Sequence, residues 1–346
     1  MTVACLVARC VRGLERLLTD EIGRNGWDVR AVGHREVRFV GHAGPDVLDL
    51  RIADDVFVPV AEVEGVGAGR QGLDRLRRAV AAADLDRAVR LRECCGGPPA
   101  GPALHVSASF LGRRAYGRYD LEDAVGEVLA RRLGHRYHPR RGGVRAPQGG
   151  SAWRVTVVDD RALLALRIAS RPLHRRPYKV ATVPGTLHPP VAAAMVVSAG
   201  PGSVLLDPCC GAGTIPVEAA RAVPGTVLGV DADPVALAAA ARNGPAVRFL
   251  LADAGALGLA DGSVDRVVTN PPWERQVHRR GRLAAEPARL WSEVRRVLVP
   301  GGRVVTLLHR PEPDLEAAAA SGLAVEMERP ISLFGAHPVV VRLRAR

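Results

Sequence analysis

The strongest constraint on the fold lies in residues 191–346, where short apolar runs alternate with segments of helical periodicity. The pattern predicts strands at Val204–Asp207, Thr226–Asp231, Val247–Leu251, Asp265–Asn270, Arg303–Leu308, Ala324–Glu328 and Pro338–Leu343. It predicts helices at Thr214–Ala222, Pro234–Arg242, Leu283–Leu298 and Pro313–Ala320. Regular alternation of this kind is typical of a parallel sheet with helices on both faces, so we expect a doubly wound α/β domain.

Acidic side chains follow three successive strands of this predicted sheet. Asp207 precedes a turn that contains Gly211 and Gly213, and a carboxylate there would repel a phosphate but pair with an ammonium group. Asp231 lies 20 residues after Gly211, the spacing at which an acid accepts hydrogen bonds from ribose hydroxyls. Asp253 follows the third strand, where it could bond an adenine amine or simply cap a turn. A lone Gly-x-Gly is a weak signal, but three acids on one sheet edge favour a nucleoside ligand with a cationic amine, as in S-adenosylmethionine (SAM).

The tetrapeptide Asn270-Pro271-Pro272-Trp273 ends the fourth predicted strand, on the same sheet edge. The prolines restrict the backbone and remove two N–H donors, which leaves the Asn270 amide oxygen and the Pro271 carbonyl as acceptors for an amine. Trp273 offers a ring on which a base can stack. An Asn-Pro turn after a buried strand is the alternative, although it explains neither the second proline nor the aromatic residue. We therefore predict these four residues to be catalytic, acting on the exocyclic amine of a flipped-out base.

The positive charge of the chain is concentrated in its middle. The formal net charge is +12, and residues 105–180 hold sixteen basic and six acidic side chains. Such a segment suggests contact with nucleic acid, although a charge run is often only a solvated face. The prediction favours RNA, with Tyr116, Tyr119 and Tyr137 available to stack on unpaired bases, and it includes Arg145 in the basic loop. The named candidates for RNA contact are Arg113, Arg114, Arg118, Arg140, Arg141, Arg175, Arg176 and Lys179.

Both motifs and the segments before them resemble a known family. The stretch 104–109 followed by 119–126 looks like the helix entry of a THUMP domain, and the stretch 171–178 looks like the junction between THUMP and methyltransferase domains. The whole chain resembles the THUMP-domain tRNA (guanine-N2-)-methyltransferases. Trp273 departs from the family pattern, where tyrosine or phenylalanine is commoner. Glu274 and His188 depart from it as well, where glycine and a basic residue, respectively, are common.

The resemblance implies an α+β ferredoxin-like domain at 1–98, a THUMP RNA-binding domain at 99–170, a linker at 171–190 and a Rossmann-like class I methyltransferase domain at 191–346. It implies SAM as cofactor and transfer of a methyl group to N2 of a guanine in tRNA, in the acceptor-stem region. The alternatives are a guanine in ribosomal RNA and N6 of an adenine in RNA or DNA. A non-catalytic RNA-binding protein that kept the fold is a third possibility, against which the intact motifs argue. The SAM contacts implied by the resemblance and the turn together are Asp207, Cys209, Gly211, Gly213, Thr214, Asp231, Ala232, Asp253, Ala254 and Asn270.

Other features exclude several classes of protein. The six cysteines include no Cys-x-x-Cys, so they predict reduced thiols in the cytoplasm. His135 and His138 stand without a Cys/His cluster around them, so we expect no metal. No signal peptide or membrane span is predicted. We expect a cytoplasmic monomer.

Overall fold

The computed structural model describes residues 2–143, 147, 149–222 and 224–346. The chain divides into two compact units, one formed by residues 1–9 and 18–173, the other by residues 10–17 and 174–346. The short segment 10–17 belongs to the second unit because Ser332 donates its backbone N–H to the Arg12 carbonyl at 3.0 Å. None of the helices in the described ranges is both long enough and apolar enough to cross a membrane.

The first unit is built on one eight-stranded sheet with the strand order β2-β3-β1-β4-β8-β7-β5-β6. Its strands are β1 (Val3–Arg9), β2 (Asp28–Gly33), β3 (Glu36–His42), β4 (Asp55–Val63), β5 (Ala103–Phe110), β6 (Arg136–Tyr137), β7 (Ser151–Val158) and β8 (Arg161–Arg167). Its helices are α1 (Glu15–Arg24), which enters this unit at Leu18, α2 (Gln71–Ala82), α3 (Leu85–Cys94) and α4 (Arg118–Leu133). The antiparallel pairing of β4 with β8 runs from Phe57 opposite Arg167 to Val63 opposite Ala162. Strands from both predicted N-terminal domains therefore share one sheet, and the boundary between those domains stays a prediction.

Helix α4 begins at Arg118, and Gly117 occupies its N-cap. Asp120 lies in the first turn, where its carboxylate accepts the Gly117 N–H at 2.8 Å. An acid is stabilising there, because the first turn lies at the positive end of the helix dipole.

The second unit contains a seven-stranded sheet with the order β11-β10-β9-β12-β13-β15-β14. Its strands are β9 (Val204–Asp207), β10 (Thr226–Asp231), β11 (Arg248–Leu251), β12 (Val264–Thr269), β13 (Leu298–Leu308), β14 (Leu323–Pro330) and β15 (Val339–Ala345). Its helices are α5 (Pro189–Ala199), α6 (Thr214–Ala222), α7 (Pro234–Asn243), α8 (Arg282–Ala285), α9 (Arg289–Val297) and α10 (Pro311–Ala320). Strands β9 to β13 pair in parallel, while β15 runs antiparallel to β13 and β14. The predicted Rossmann-like α/β fold is confirmed.

The connectivity of this sheet creates a ligand-binding edge. The chain leaves β9 for β10 on one side and later returns to place β12 on the other side of β9. Ligands of open α/β sheets bind beside the carboxyl ends of the strands at such a reversal. Asp207 ends β9, Asp231 ends β10 and Asn270 follows β12, so the chain order brings these three residues to one place.

Two parts of the second unit differ from the predicted elements. Helix α5 begins at Pro189, inside the segment predicted to be a linker, and nearly all of its side chains are buried. A helix that is apolar all round carries no 3.6-residue pattern, which is why the sequence did not show it. The single helix predicted for 283–298 is two helices, α8 and α9, separated at Glu286 and Pro287, because proline lacks the N–H that a continuous helix would need.

Candidate active site

A cleft of about 680 Å³ lies at the carboxyl ends of β9, β10 and β12. Nearly all of the predicted SAM contacts and the whole tetrapeptide line it. The predicted residues in its lining are Asp207, Cys209, Gly211, Thr214, Asp231, Ala232, Asp253, Ala254, Asn270, Pro271, Pro272 and Trp273. Gly213 is the exception and packs behind the turn.

The turn after β9 is held by the acid at the end of β10. The Asp231 carboxylate accepts the Gly211 N–H at 2.8 Å and the Asp233 N–H at 2.9 Å. The Cys210 N–H donates to the Val230 carbonyl at 2.8 Å. Gly211 has a φ of +53°, and apart from its chain neighbours no described residue has an atom within 4 Å of the place where a Cβ would stand. The turn thus presents open backbone to the cleft beside a carboxylate that has lone pairs left for hydroxyl donors.

Gly213 supports the turn from behind. Its φ is +76°, and a Cβ there would lie 2.9 Å from the Phe249 ring and 3.0 Å from the Ala240 Cβ. The helix α6 therefore approaches β11 and α7 as closely as it does only because position 213 has no side chain.

These two glycines yield a matched pair of predictions. We expect Gly213→Ala to lower the free energy of unfolding by about 2–4 kcal/mol, since left-handed strain adds to overpacking. Gly211→Ala meets only the backbone strain, so the expected loss is about 1–2 kcal/mol. Denaturant unfolding without ligand measures both values. If both variants lost the same free energy of unfolding, the result would contradict a packing role that Gly213 has and Gly211 lacks.

Asp207 is the most deeply buried acid of the cleft, with 1% of its surface exposed. Its carboxylate accepts the Cys209 N–H at 3.1 Å. Burial, with a smaller contribution from the nearby Asp231 carboxylate, raises the pKa of Asp207 to about 8. A buried carboxylate of this kind is stabilised by a cationic partner, which fits the ammonium group of SAM.

Asp253 has a structural task as well as a place in the lining. Its two oxygens accept the N–H of Gly255 at 2.8 Å and that of Arg282 at 2.7 Å. The carboxylate therefore caps the turn after β11 and the start of α8. The adenine contact predicted for Asp253 stays a prediction.

The two cysteines of the turn carry protonated thiols, and the SAM contact predicted for Cys209 stays a prediction. Cys210 is buried, and burial raises the pKa of both the Cys209 and the Cys210 thiols. Protonated thiols are poor nucleophiles. Their small side chains suit the close packing between β9 and α6, where Thr214 is also buried.

Asn270 lines the cleft, and its amide oxygen is an unused acceptor. Its Oδ1 atom is buried and has no hydrogen-bond partner among the described residues. A buried carbonyl without a partner is costly unless a ligand supplies the donor. The amide therefore fits a bound amine, as the tetrapeptide predicts.

Trp273 is fixed on the far side of the tetrapeptide. Its indole N–H donates to the Leu307 carbonyl at 3.1 Å. The His309 ring stacks on it with centroids 5.4 Å apart and planes 20° apart. The half-buried ring lines the cleft from this fixed position, so it can serve as a platform for a base.

The backbone at position 274 shows why glycine is common there in the family. Glu274 has a φ of +56°, a backbone conformation in which glycine is favoured. Its carboxylate accepts the Arg279 N–H at 2.8 Å and lies 3.0 Å from His278 Nδ1. These contacts offset the strain that a non-glycine residue meets there.

Several residues that line the cleft were not predicted. His188, which precedes α5, and Phe334, between β14 and β15, are two of them. Neither belongs to a motif, and both are distant in sequence from the two that were found. In the sequence, His188 is distinguished only as a departure from the family pattern, and no motif or periodicity distinguishes Phe334.

The basic side chains predicted to contact RNA differ in their surroundings. Arg113, Arg118 and Arg175 are exposed. Arg118 also lies over the Tyr119 ring at 4.6 Å. Arg145 lies outside the described residues.

Three other arginines of this set have hydrogen-bond or ion-pair partners within the first unit. Arg140 and Arg141 form ion pairs with acids of α4 at 2.6–3.0 Å. Arg114 donates to backbone carbonyls of neighbouring loops, and the adjacent Tyr116 is buried with 3% of its surface exposed. A buried ring cannot stack on a base, so the stacking role expected of Tyr116 is not supported.

The last two members hold the start of the second unit together. Arg176 forms an ion pair with the buried Glu218 at 3.1 Å. The Lys179 ammonium donates to the Leu187 carbonyl at 3.1 Å, and burial lowers the pKa of this group. Arg176 and Lys179 therefore each have a partner within the second unit, independent of any contact with RNA.

Comparison with known proteins agrees with this geometry. The family model UPF0020, an RMKL-like methyltransferase domain, matches residues 176–330. The tRNA (guanine(6)-N2)-methyltransferase of Thermus thermophilus is 34% identical over 250 residues, which cover 69% of this chain and 71% of that protein. A ribosomal RNA large subunit methyltransferase K/L of Alcanivorax borkumensis is 28% identical over 64% of this chain and 30% of its own length.

A solved structure resembles the chain over its whole length. The crystal structure of TrmN from Thermus thermophilus covers 100% of both chains with 28% identity and a TM-score of 0.76. A cleft with an acid at the ends of β9 and β10 and an Asn-Pro-Pro-Trp segment after β12 therefore occurs in a chain whose relatives transfer methyl groups. The chain belongs to the family of the tRNA (guanine-N2)-methyltransferases, and it is a SAM-dependent methyltransferase.

Proposed function

We propose that this protein methylates the exocyclic N2 of a guanine in tRNA, in the acceptor-stem region. The observation that carries the proposal is the buried Asn270 Oδ1, which has no partner in the described part of the chain and belongs to a residue that lines the cleft. The identity with the Thermus thermophilus enzyme supports tRNA and guanine as substrate and base.

The cleft residues have separate tasks in this proposal. SAM supplies the methyl group when bound, with Asp207 beside its ammonium group and Asp231 beside its ribose. Asn270 and the Pro271 carbonyl accept the N–H groups of the guanine amine and orient its lone pair. Trp273 holds the base by stacking. None of these tasks requires a strong base or an enzyme nucleophile.

The first unit is proposed to bind the RNA. Unstacking the target guanine costs a few kcal/mol, which contacts elsewhere must supply. The exposed Arg113 and Arg118 lie in the region 99–170, which we propose to be a THUMP domain. The region 1–98, which precedes it in the sequence, is proposed to be ferredoxin-like. Phosphate contacts from such side chains predict binding that weakens steeply with salt. The cytoplasmic location, the monomeric state and the absence of a metal stay predictions.

The experiment that tests the function identifies the modified nucleoside. The protein is incubated with labelled SAM and, in parallel, bulk tRNA, ribosomal RNA or duplex DNA, and the products are digested to nucleosides. We expect N2-methylguanosine in the tRNA sample. Label in ribosomal RNA would overturn the substrate, and N6-methyladenosine would overturn the base. No label in any sample, despite binding of S-adenosylhomocysteine, would overturn the proposal.

A further inference from the structure

The turn between β14 and β15 exposes an aromatic side chain. Phe334 has 84% of its surface exposed, more than any other large hydrophobic side chain in the described part of the chain. Aromatic residues make up only 4% of the sequence. Exposing one of so few rings costs hydrophobic stabilisation, so the position calls for an explanation other than folding.

The backbone of this turn is also unfavourable for phenylalanine. Leu333 and Ala336 exchange two backbone hydrogen bonds of 2.9 Å, which leaves Phe334 and Gly335 as a two-residue loop. Both have positive φ, +49° and +80°, as in a type I′ turn, where asparagine or glycine is preferred at the first of these positions. A bulky residue in this conformation is strained, and strain of this kind gathers at functional sites.

The turn has a firm base. Ile331 and Leu333 are buried, and the Ile331 N–H donates to the Pro338 carbonyl at 2.9 Å. The Ser332 N–H donates to the Arg12 carbonyl at 3.0 Å. The exposed ring is therefore carried by a well-anchored hairpin, so stacking on it costs little ordering of the protein.

The ring stands at the cleft that holds the catalytic tetrapeptide. Phe334 lines this cleft together with Asn270 and Trp273. Its ring meets the His188 ring in a T-shaped contact, with centroids 5.3 Å apart and planes at 84°. Such a contact takes up at most one face of the Phe334 ring, so this exposed side chain keeps a face for a flat partner.

We propose that Phe334 stacks on a nucleobase of the RNA substrate at the mouth of the cleft. The inference rests on the proposed function, because it assumes that an unstacked base must be held at this cleft. Stacking on an aromatic ring is tolerant of base identity, so Phe334 would contribute affinity for the unpaired strand, while the tetrapeptide selects the amine.

The test uses a substitution that suits the turn but removes the ring. Phe334→Asn is compatible with a positive φ, so we expect an unchanged or higher thermal midpoint and unchanged affinity for S-adenosylhomocysteine. We expect kcat/KM for tRNA to fall about ten- to a hundredfold, mainly through KM. Phe334→Tyr keeps the ring and should stay within about threefold of the wild type.

Binding of a fluorescent single-stranded oligoribonucleotide, measured by anisotropy, separates this inference from the proposed function. The wild-type protein must methylate tRNA for that function to stand, whereas the ratio of affinities between the wild type and Phe334→Asn tests stacking without turnover. A ratio within twofold, with kcat/KM also within twofold, would overturn the role of Phe334. Loss of S-adenosylhomocysteine binding in Phe334→Asn would also overturn it and assign the ring to the cofactor.

Discussion

Replacing Asn270 with alanine is expected to lower kcat by at least about a hundredfold while the affinity for S-adenosylhomocysteine stays within about threefold. The Asn270 Oδ1 is a buried acceptor with no partner in the described residues, so its contribution arises when the amine of the base is present. A group that acts mainly on the reacting amine lowers kcat when it is removed, with little change in cofactor binding.

Two further measurements separate loss of the acceptor oxygen from loss of folding. Asn270→Asp keeps an acceptor oxygen, so we expect it to retain more activity than Asn270→Ala. Thermal unfolding of both variants shows whether the site is still folded. An alanine variant that keeps more than a third of the wild-type kcat would show that the amine is held by other groups.

Binding of S-adenosylhomocysteine at pH 7 is expected to release most of one proton from Asp207. Burial raises the pKa of this carboxyl group to about 8, so at pH 7 the free protein holds it mostly protonated. Pairing with the ligand ammonium requires the carboxylate, and the proton must leave. The affinity should therefore rise as pH increases from 6 to 8 and level off above the folded-state pKa.

Titration calorimetry in buffers of different ionisation enthalpy measures this proton release. Asp207→Asn cannot ionise, so we expect weaker binding without proton release at pH 7. Asp253→Asn is the matched control from the same cleft, since its carboxylate caps backbone N–H groups, and there the release should persist. Tight binding by the wild type with no proton release would mean that Asp207 does not face the ammonium group.

Helix α5 and the strand pairing of the first unit could not be predicted from the sequence. The helix at Pro189–Ala199 is apolar on all sides, so neither its existence nor its start could be taken from periodicity. The pairing of β4 with β8 joins residues that lie about a hundred positions apart, as Val63 and Ala162 do. No local pattern specifies which strands become neighbours, because that depends on how the helices pack over them.

Individual arginines show the same limit. Sequence counting identified an excess of positive charge between residues 105 and 180, but it treated Arg113 and Arg114 as equivalent. In the structure Arg113 is exposed, whereas Arg114 binds backbone carbonyls of residues more than forty positions away in the chain. Long-range hydrogen bonds of this kind decide which cations can meet RNA.

The sequence alone determined the α/β character of the second unit and the positions of Asp207, Asp231 and Asn270 at or directly after strand ends. Asp207, Asp231 and Asn270 could be found because strand, turn and helix signals are local, and parallel strands bring their carboxyl ends together. Only the tertiary structure decided that Gly213 packs behind the turn, that Asn270 keeps an unused acceptor and that Phe334 stands at the cleft. Those properties depend on which atoms from distant segments lie within a few ångströms, and the spacing of residues along a chain does not contain that information.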